Sequence, residues 1–281
     1  RFVILSMFVT LLTVSAVASV VHDTDMTFID RLEIAVADGQ LDQEQALLYA
    51  FFYGFDHDAL PEAWRPESFP PLKCGTALMQ NYEELRPTLS SETIKRIDGY
   101  LTPLPSENKA TYLSPLGHYN LTYLTTGGNA VPATDVNPAN GVPDYVERCA
   151  EYLDTSWETE IVSMGFTAPP SHPYPISFEN MSYYGYTTVI SGTATRIVLH
   201  NTFVGFPPND DPDGDVLGAA KVTCAHEFKH ASQRAQSGWS EGGWVELDAT
   251  WMEDIVFDQV NDYYNYLPSG CGITSPQLSL N

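Results

Sequence analysis

Apolar residues recur three or four apart at Leu217, Ala220, Cys224, Phe228, Ala231 and Ala235, a spacing that predicts a helix over Val216–Gln236. No Pro or Gly interrupts it after Gly218, and Ser237-Gly238 supplies a stop. After the Gly-rich break Ser240-Glu241-Gly242-Gly243, a second helical stretch runs from Trp244 to Phe257. Residues 22–60 predict a helical hairpin that turns at Asp38-Gly39, and the second arm, Leu41 to Phe55, has Asp42 and Glu44 at its start. A Pro-rich stretch, Pro61 to Pro71, precedes helix-prone segments at Met79–Leu85 and Glu92–Tyr100, and Pro103 to Asn108 looks like a linker. Beyond it, Tyr119–Thr125 alternates as a strand does, Tyr145–Met164 carries a helical stripe (Val146, Cys149, Ala150, Leu153, Trp157), and Pro175–Ile190 supplies one or two short strands. Thr195–His200 is the clearest strand. Runs of both periods in one chain predict an α+β fold: a helical N-terminal region over 20–109, read as a candidate prosegment, and a mixed α+β domain over 110–281.

Composition narrows the class. With 36 acidic against 13 basic residues the formal charge is −23 at pH 7, which argues against nucleic acid or anionic membrane as a partner. An apolar fraction of 43% with 12% aromatics belongs to a globular chain rather than a disordered one. Phe2 to Val20 is apolar apart from Ser and Thr, follows Arg1 and ends in Ala16-Val17-Ala18-Ser19, which predicts a secretory signal peptide over 1–19, cleaved after Ala18. An uncleaved membrane anchor is the competing reading of that run. The expected setting is therefore extracellular, with no stable membrane insertion once the signal is removed. The missing initiator Met and the ending at Leu280-Asn281 are read as marks of a fragment. Export makes disulfides feasible. Cys74, Cys149, Cys224 and Cys271 allow three connectivities, of which Cys74–Cys149 with Cys224–Cys271 is preferred.

The chemistry concentrates at His226-Glu227-Phe228-Lys229-His230. On a helix, His226 and His230 project from one face and can share one zinc ion, while Glu227 can take a proton from a water that the metal activates. A third protein ligand must come from downstream. Glu246, Glu253 and Asp254 share a broad face of the second helix, but seven residues of helix span about 10 Å, so only one of them can reach the metal. Glu246 is the best candidate: it starts that helix, and Ala249 one turn on permits close approach. Cys224, two positions before His226, faces away from the metal. His22, His57, His118, His172 and His200 lack ligand spacing and read as surface or loop residues.

The sequence H-E-F-K-H followed by W-V-E-L-D-A-T-W-M-E-D resembles the gluzincin metallopeptidases, in which a Glu on a second helix completes the zinc site. More closely it is similar to a group of secreted bacterial metalloproteases whose second helix reads E-G-T-A-T-W-M-E-D and which carry an N-G-x-P-D-Y-V-E segment. Here Asn140 to Glu147 reads N-G-V-P-D-Y-V-E. The resemblance covers at least 110–268. Leu247-Asp248 departs from the usual Gly-Thr and leaves the ligand position in place. It implies a zincin-like domain over 110–281, with His226, His230 and Glu246 as zinc ligands and Glu227 as the catalytic Glu. It also implies a sheet over the active-site helix, with the Thr195–His200 strand as the edge that binds an extended peptide.

The expected function is that of a secreted zinc endopeptidase acting on a protein or peptide. The rivals are a binding or adhesion module with structural zinc and a zinc hydrolase of a non-peptide amide. Tyr183, Tyr184, Tyr186 and Tyr263 are candidate oxyanion donors, with no choice among them. Two acidic loops suggest calcium. In the first, Asp135, Asn137, Asn140 and Asp144 are candidate ligands, although the spacing departs from an EF-hand and the terminal Glu is missing; a capped turn is the alternative. The second, Asn209 to Asp215, either binds calcium or sets negative charge at the N-terminus of the zinc helix. Cys74, expected in a disulfide, has a second reading as a thiolate that blocks the zinc.

Overall fold

A computed structural model describes residues 26–102 and 108–267. The expected signal peptide with its Ala18 site, His22, most of the Pro103–Asn108 linker and Cys271 lie outside the described residues.

The N-terminal hairpin forms as its caps dictate. Helix α1 (Phe28–Ala37) begins at a reciprocal capping box between Thr27 and Asp30, and α2 (Gln43–Phe55) begins at another between Asp42 and Gln45. Helices α3 (Thr76–Leu85) and α4 (Ser91–Leu101) complete this region. Between Pro71 and Gly75 lies a three-residue strand, β1 (Leu72–Cys74), too short to show any alternation in the sequence. The remaining strands are β2 (Lys109–Leu113), β3 (Tyr119–Leu124), β4 (Tyr174–Glu179), β5 (Tyr183–Ser191) and β6 (Ala194–His200). Helix α5 (Asp144–Trp157) follows β3, and α6 (Asp215–Ser237) and α7 (Trp244–Phe257) follow β6. The expected helix Tyr145–Met164 is thus α-helical only to Trp157 and continues as a π-type turn over Glu158–Ser163.

The six strands form one mixed sheet in the order β1-β5-β6-β4-β3-β2. β5 pairs antiparallel with β6, and β1 joins β5 in parallel. This corrects the expectation that Thr195–His200 is a substrate edge. The β5–β6 hairpin lays β5 outside β6, so β6 is interior, flanked by β5 and β4. The edge on this side is β1, contributed by the N-terminal region.

Neighbouring residues of β6 point to opposite faces and show both cores at once. Ile197 and Leu199 join a cluster with α5 and α6, in which the Phe228 ring lies 5.4 Å from Tyr119 and 5.5 Å from Trp157. Val198 joins a second cluster with Tyr183, Tyr186 and the apolar faces of α1, α2 and α3. The N-terminal helices therefore share a core with the sheet.

Helix α6 lies against β5 at Gly185. A Cβ there would sit 2.7 Å from Thr223 Cγ2 and 3.0 Å from Glu227 Cγ, distances that ordinary packing does not allow. Gly185→Ala is expected to destabilise the protein by about 1–3 kcal/mol through forced displacement of α6. Urea unfolding of both proteins checks this.

His200, expected at the surface, is instead 5% exposed at the end of β6, and its Nδ1 accepts the backbone N–H groups of Thr202 (3.1 Å) and Phe203 (2.9 Å). Burial pushes its pKa down to about 4. The unfolded chain therefore protonates this ring first, and stability falls as pH drops from about 6.5 towards 4. The loss from this group is about 3 kcal/mol between pH 7 and pH 4. His200→Gln should remove about that much of the pH dependence measured by urea unfolding at the two pH values.

Candidate metal centre

The 23-residue α6 carries both histidines on one face, their ring centroids 4.7 Å apart. Helix α7 turns back after the Gly-containing break and presents Glu246 in its first turn. Its carboxylate lies 3.2 Å from His226 Nε2 through Oε2 and 3.4 Å from His230 Nε2 through Oε1. Cys74, at the end of β1, completes the group: its Sγ is 3.4 Å from His230 Nε2. One donor atom from each of Cys74, His226, His230 and Glu246 falls within 4.8 Å of the others. A tetrahedral zinc with bonds of about 2.0–2.3 Å separates its ligands by about 3.3–3.8 Å, which the contacts of Glu246 with both imidazoles and of Cys74 with His230, at 3.2–3.4 Å, approach. The three sequence-expected ligands are thus brought together, and the donor set of two imidazoles, a carboxylate and a thiol is one that zinc favours.

Polar groups behind the ligands fix their orientation. His226 Nδ1 lies 2.7 Å from Glu253 Oε1, and His230 Nδ1 lies 2.9 Å from Gln233 Oε1. Each ring then donates Nδ1–H backwards and keeps the Nε2 lone pair for a metal. Glu253 is 1% exposed and is bound in turn by Lys73 Nζ at 3.0 Å, which also reaches Asp262 at 2.5 Å. Gln233 Nε2 donates to Val245 O at 2.9 Å and so links α6 to the start of α7. Glu227, wholly buried, accepts from Thr76 Oγ1 at 2.9 Å and Thr187 Oγ1 at 2.8 Å, while its other oxygen lies 3.3 Å from Cys74 Sγ. Gln233 stands one turn after His230 on the same helix, whereas the partners of His226 and Glu227 come from other segments and so have no local sequence signature. From sequence Glu253 reads only as a rival ligand.

The electrostatics of the pocket call for a cation. Burial lowers the pKa of His226, but Cys74, Glu246 and Glu253 outweigh it and draw the ring well above its ordinary range. At His230, burial is likewise outweighed by Glu246 and Cys74. Burial raises Glu246, yet the two imidazoles hold it well below the usual carboxylate range. Its Oε1 is inaccessible and makes no hydrogen bond. Protonated imidazoles satisfy this cluster in the absence of a metal; a divalent ion would do so with both rings neutral. Cys74 and Glu246 also line a groove of about 1170 Å³ bordered by the N-terminal helices, with Phe28, Leu32 and Ala50 among its walls.

Other expectations fare differently. Cys74, Cys149 and Cys224 are unpaired, so the Cys74–Cys149 bridge is not formed. The reason is geometric: Cys74 faces the histidine-bearing side of α6, whereas Cys149 is buried on α5 beside Cys224, whose Sγ lies 3.8 Å from Cys149 O. Cys224 does face away from the cluster, and its expected partner Cys271 is outside the described residues. Among the candidate oxyanion donors, Tyr184 donates to Asp262, Tyr186 donates to Glu179, Tyr183 is buried against the N-terminal helices, and Tyr263 packs on Tyr264. In the first acidic loop, Asp135 accepts the backbone N–H groups of Asn140 and Gly141, and Asp144 accepts those of Val136 and Asn137. Asn140 Nδ2 donates to Glu147 and its Oδ1 accepts from Val142 N, which is the geometry of a capped turn. In the second loop, Asp211 and Asp213 are paired with Lys221.

Set against models of protein families, curated proteins and solved structures, the chain matches none. Glu253→Gln keeps the shape but weakens the acceptor behind His226, and it is expected to lower zinc affinity by about 10–100-fold. Competition with a chromophoric chelator measures that ratio.

Proposed function

We propose that this chain is a secreted zinc-dependent endopeptidase of gluzincin type, with a zincin-like domain in which His226, His230 and Glu246 hold the metal. The observation that carries this reading is the placement of Glu227. Its carboxylate is buried beside the ligand cluster, and Thr76 and Thr187 fix one oxygen so that the other points at the fourth ligand position, 3.3 Å from Cys74 Sγ. Glu246 Oε1, buried with no hydrogen bond and 3.4 Å from His230 Nε2, and the 3.2–3.4 Å contacts among the donors support a single ion held by these residues.

When bound, zinc supplies Lewis acidity to a scissile carbonyl and to an attacking water. The chain's own residues supply the rest. Glu227 accepts the proton of the water as its oxygen adds to the carbonyl carbon, then returns it to the leaving amine as the C–N bond breaks. Glu253 and Gln233 keep both imidazoles aimed through Nε2. Thr76 and Thr187 prevent the Glu227 carboxylate from rotating away.

One observation favours a second reading, structural zinc: Cys74 completes a four-donor set, as closed sites have. That reading leaves Glu227 and its two threonines without a role. The test is zinc content and casein hydrolysis for the parent and Glu227→Gln, each before and after limited proteolysis of the N-terminal region. The expected outcome is equal zinc in both, with hydrolysis in Glu227→Gln reduced by about 10²–10⁴-fold or more. Zinc in both and no hydrolysis by the parent under either condition would establish the structural site instead.

A further inference from the structure

Strand β1 reaches the candidate centre in a way that neither the motif nor the peptidase reading requires. Its register sets Cys74 opposite Gly185, the residue whose missing side chain admits Thr223 and Glu227 of α6. Cys74 therefore faces the same helix surface as the two histidines. Three further groups hold it there. The backbone is tied to β5 by Leu72 N–H to Ser182 O (2.8 Å) and Gly75 N–H to Gly185 O (2.9 Å). Lys73 is pinned to Glu253 and Asp262. Thr76 N–H, at the start of α3, donates to Cys74 Sγ at 3.2 Å.

From this placement we infer that Cys74 is a fourth ligand of the same metal and holds the centre shut, with β1 lying where an extended peptide substrate would join the sheet. The inference rests on the peptidase reading above. A thiolate is a strong zinc ligand, and a fourth protein ligand fills the position that water needs. The sulfur also stands against Glu227 Oε1, between the base and the space from which it would take a proton. β1 covers the backbone edge of β5, the edge to which a substrate strand could add. Pro70 and Pro71, immediately before β1, lack N–H groups and discourage a further strand outside it. A substrate must therefore displace β1 rather than add to it. The substrate class that fits the freed edge is an extended, unfolded polypeptide, bound by main-chain hydrogen bonds.

The test uses the full chain loaded with Co²⁺ in place of zinc, together with zinc-loaded samples assayed on casein. Wild type, Cys74→Ala and Cys74→Ser are compared, with circular dichroism and metal content as checks on folding. The expected result is a thiolate-to-cobalt charge-transfer band in wild type, absent from both variants, and hydrolysis faster by an order of magnitude or more in the variants. A mercurial that captures thiols should activate wild type and leave Cys74→Ala unchanged: Cys149 and Cys224 are wholly buried, and Cys271 is common to both proteins, so the comparison isolates Cys74. The activation of wild type and the loss of its charge-transfer band on mercurial treatment need no substitution, so they are read even if a variant folds poorly. Absence of the band in wild type, or equal hydrolysis by wild type and Cys74→Ala, would overturn the inference while leaving the peptidase reading intact. A band in wild type with no hydrolysis by any protein, the mercurial-treated one included, would overturn both and leave a structural site with Cys74 as a ligand.

Discussion

The close approach of α6 to β5 at Gly185 is the constraint on which the centre depends. Helix and sheet could pack at an ordinary distance with any small side chain between them, but the cluster could not form there. The hydroxyl of Thr187, two residues further along β5, reaches Glu227 only because the helix lies flat on the strand at this point. The same contact lets a side chain on the adjacent strand β1 reach the face that bears both histidines. A missing Cβ thus sets the position of the proposed base and of the thiol together.

A second constraint is electrostatic. Glu227 and Glu253 are buried at this centre, Glu246 is partly buried beside them, and the chain as a whole is strongly acidic. Buried carboxylates are tolerated only when something positive or donating meets them. Lys73 answers for Glu253 and Asp262, and the threonines answer for one oxygen of Glu227. What is left over, around the two Nε2 atoms and the unbonded oxygen of Glu246, is concentrated at one point. That residual negative character favours a compact multivalent cation over scattered protons.

How much of this was legible in the sequence follows from chain distance. The spacing of His226 and His230, and of the apolar positions around them, is periodic within one helix, so α6 and its ligand face could be read directly, and α7 with Glu246 lies close behind. Caps such as Thr27 with Asp30 and Asp42 with Gln45 are local as well. Long-range placement was not readable. β1 has three residues and no pattern, so its membership of the sheet, and the fate of Cys74, depended on pairing with β5 more than a hundred residues away. The sequence points to β6 as the edge for the same reason: nothing local tells a strand that another segment lies beyond its neighbour. His200 read as a surface residue because a buried imidazole satisfied by two backbone N–H groups leaves no mark in spacing.

The shared core beneath the N-terminal helices bears on how such a molecule would mature. Tyr183, Tyr186 and Val198 of the sheet are buried by α1, α2 and α3, so cutting the connecting chain would not by itself free those helices. Detaching them would expose that apolar surface to water, at a cost of about 25 cal/mol for each Å² uncovered. The severed piece would stay docked, and only the short β1 clasp would swing aside. On the proposed peptidase reading, maturation would then yield a nicked two-chain particle that sediments as one body, with the N-terminal helices retained as a permanent wall of the sheet.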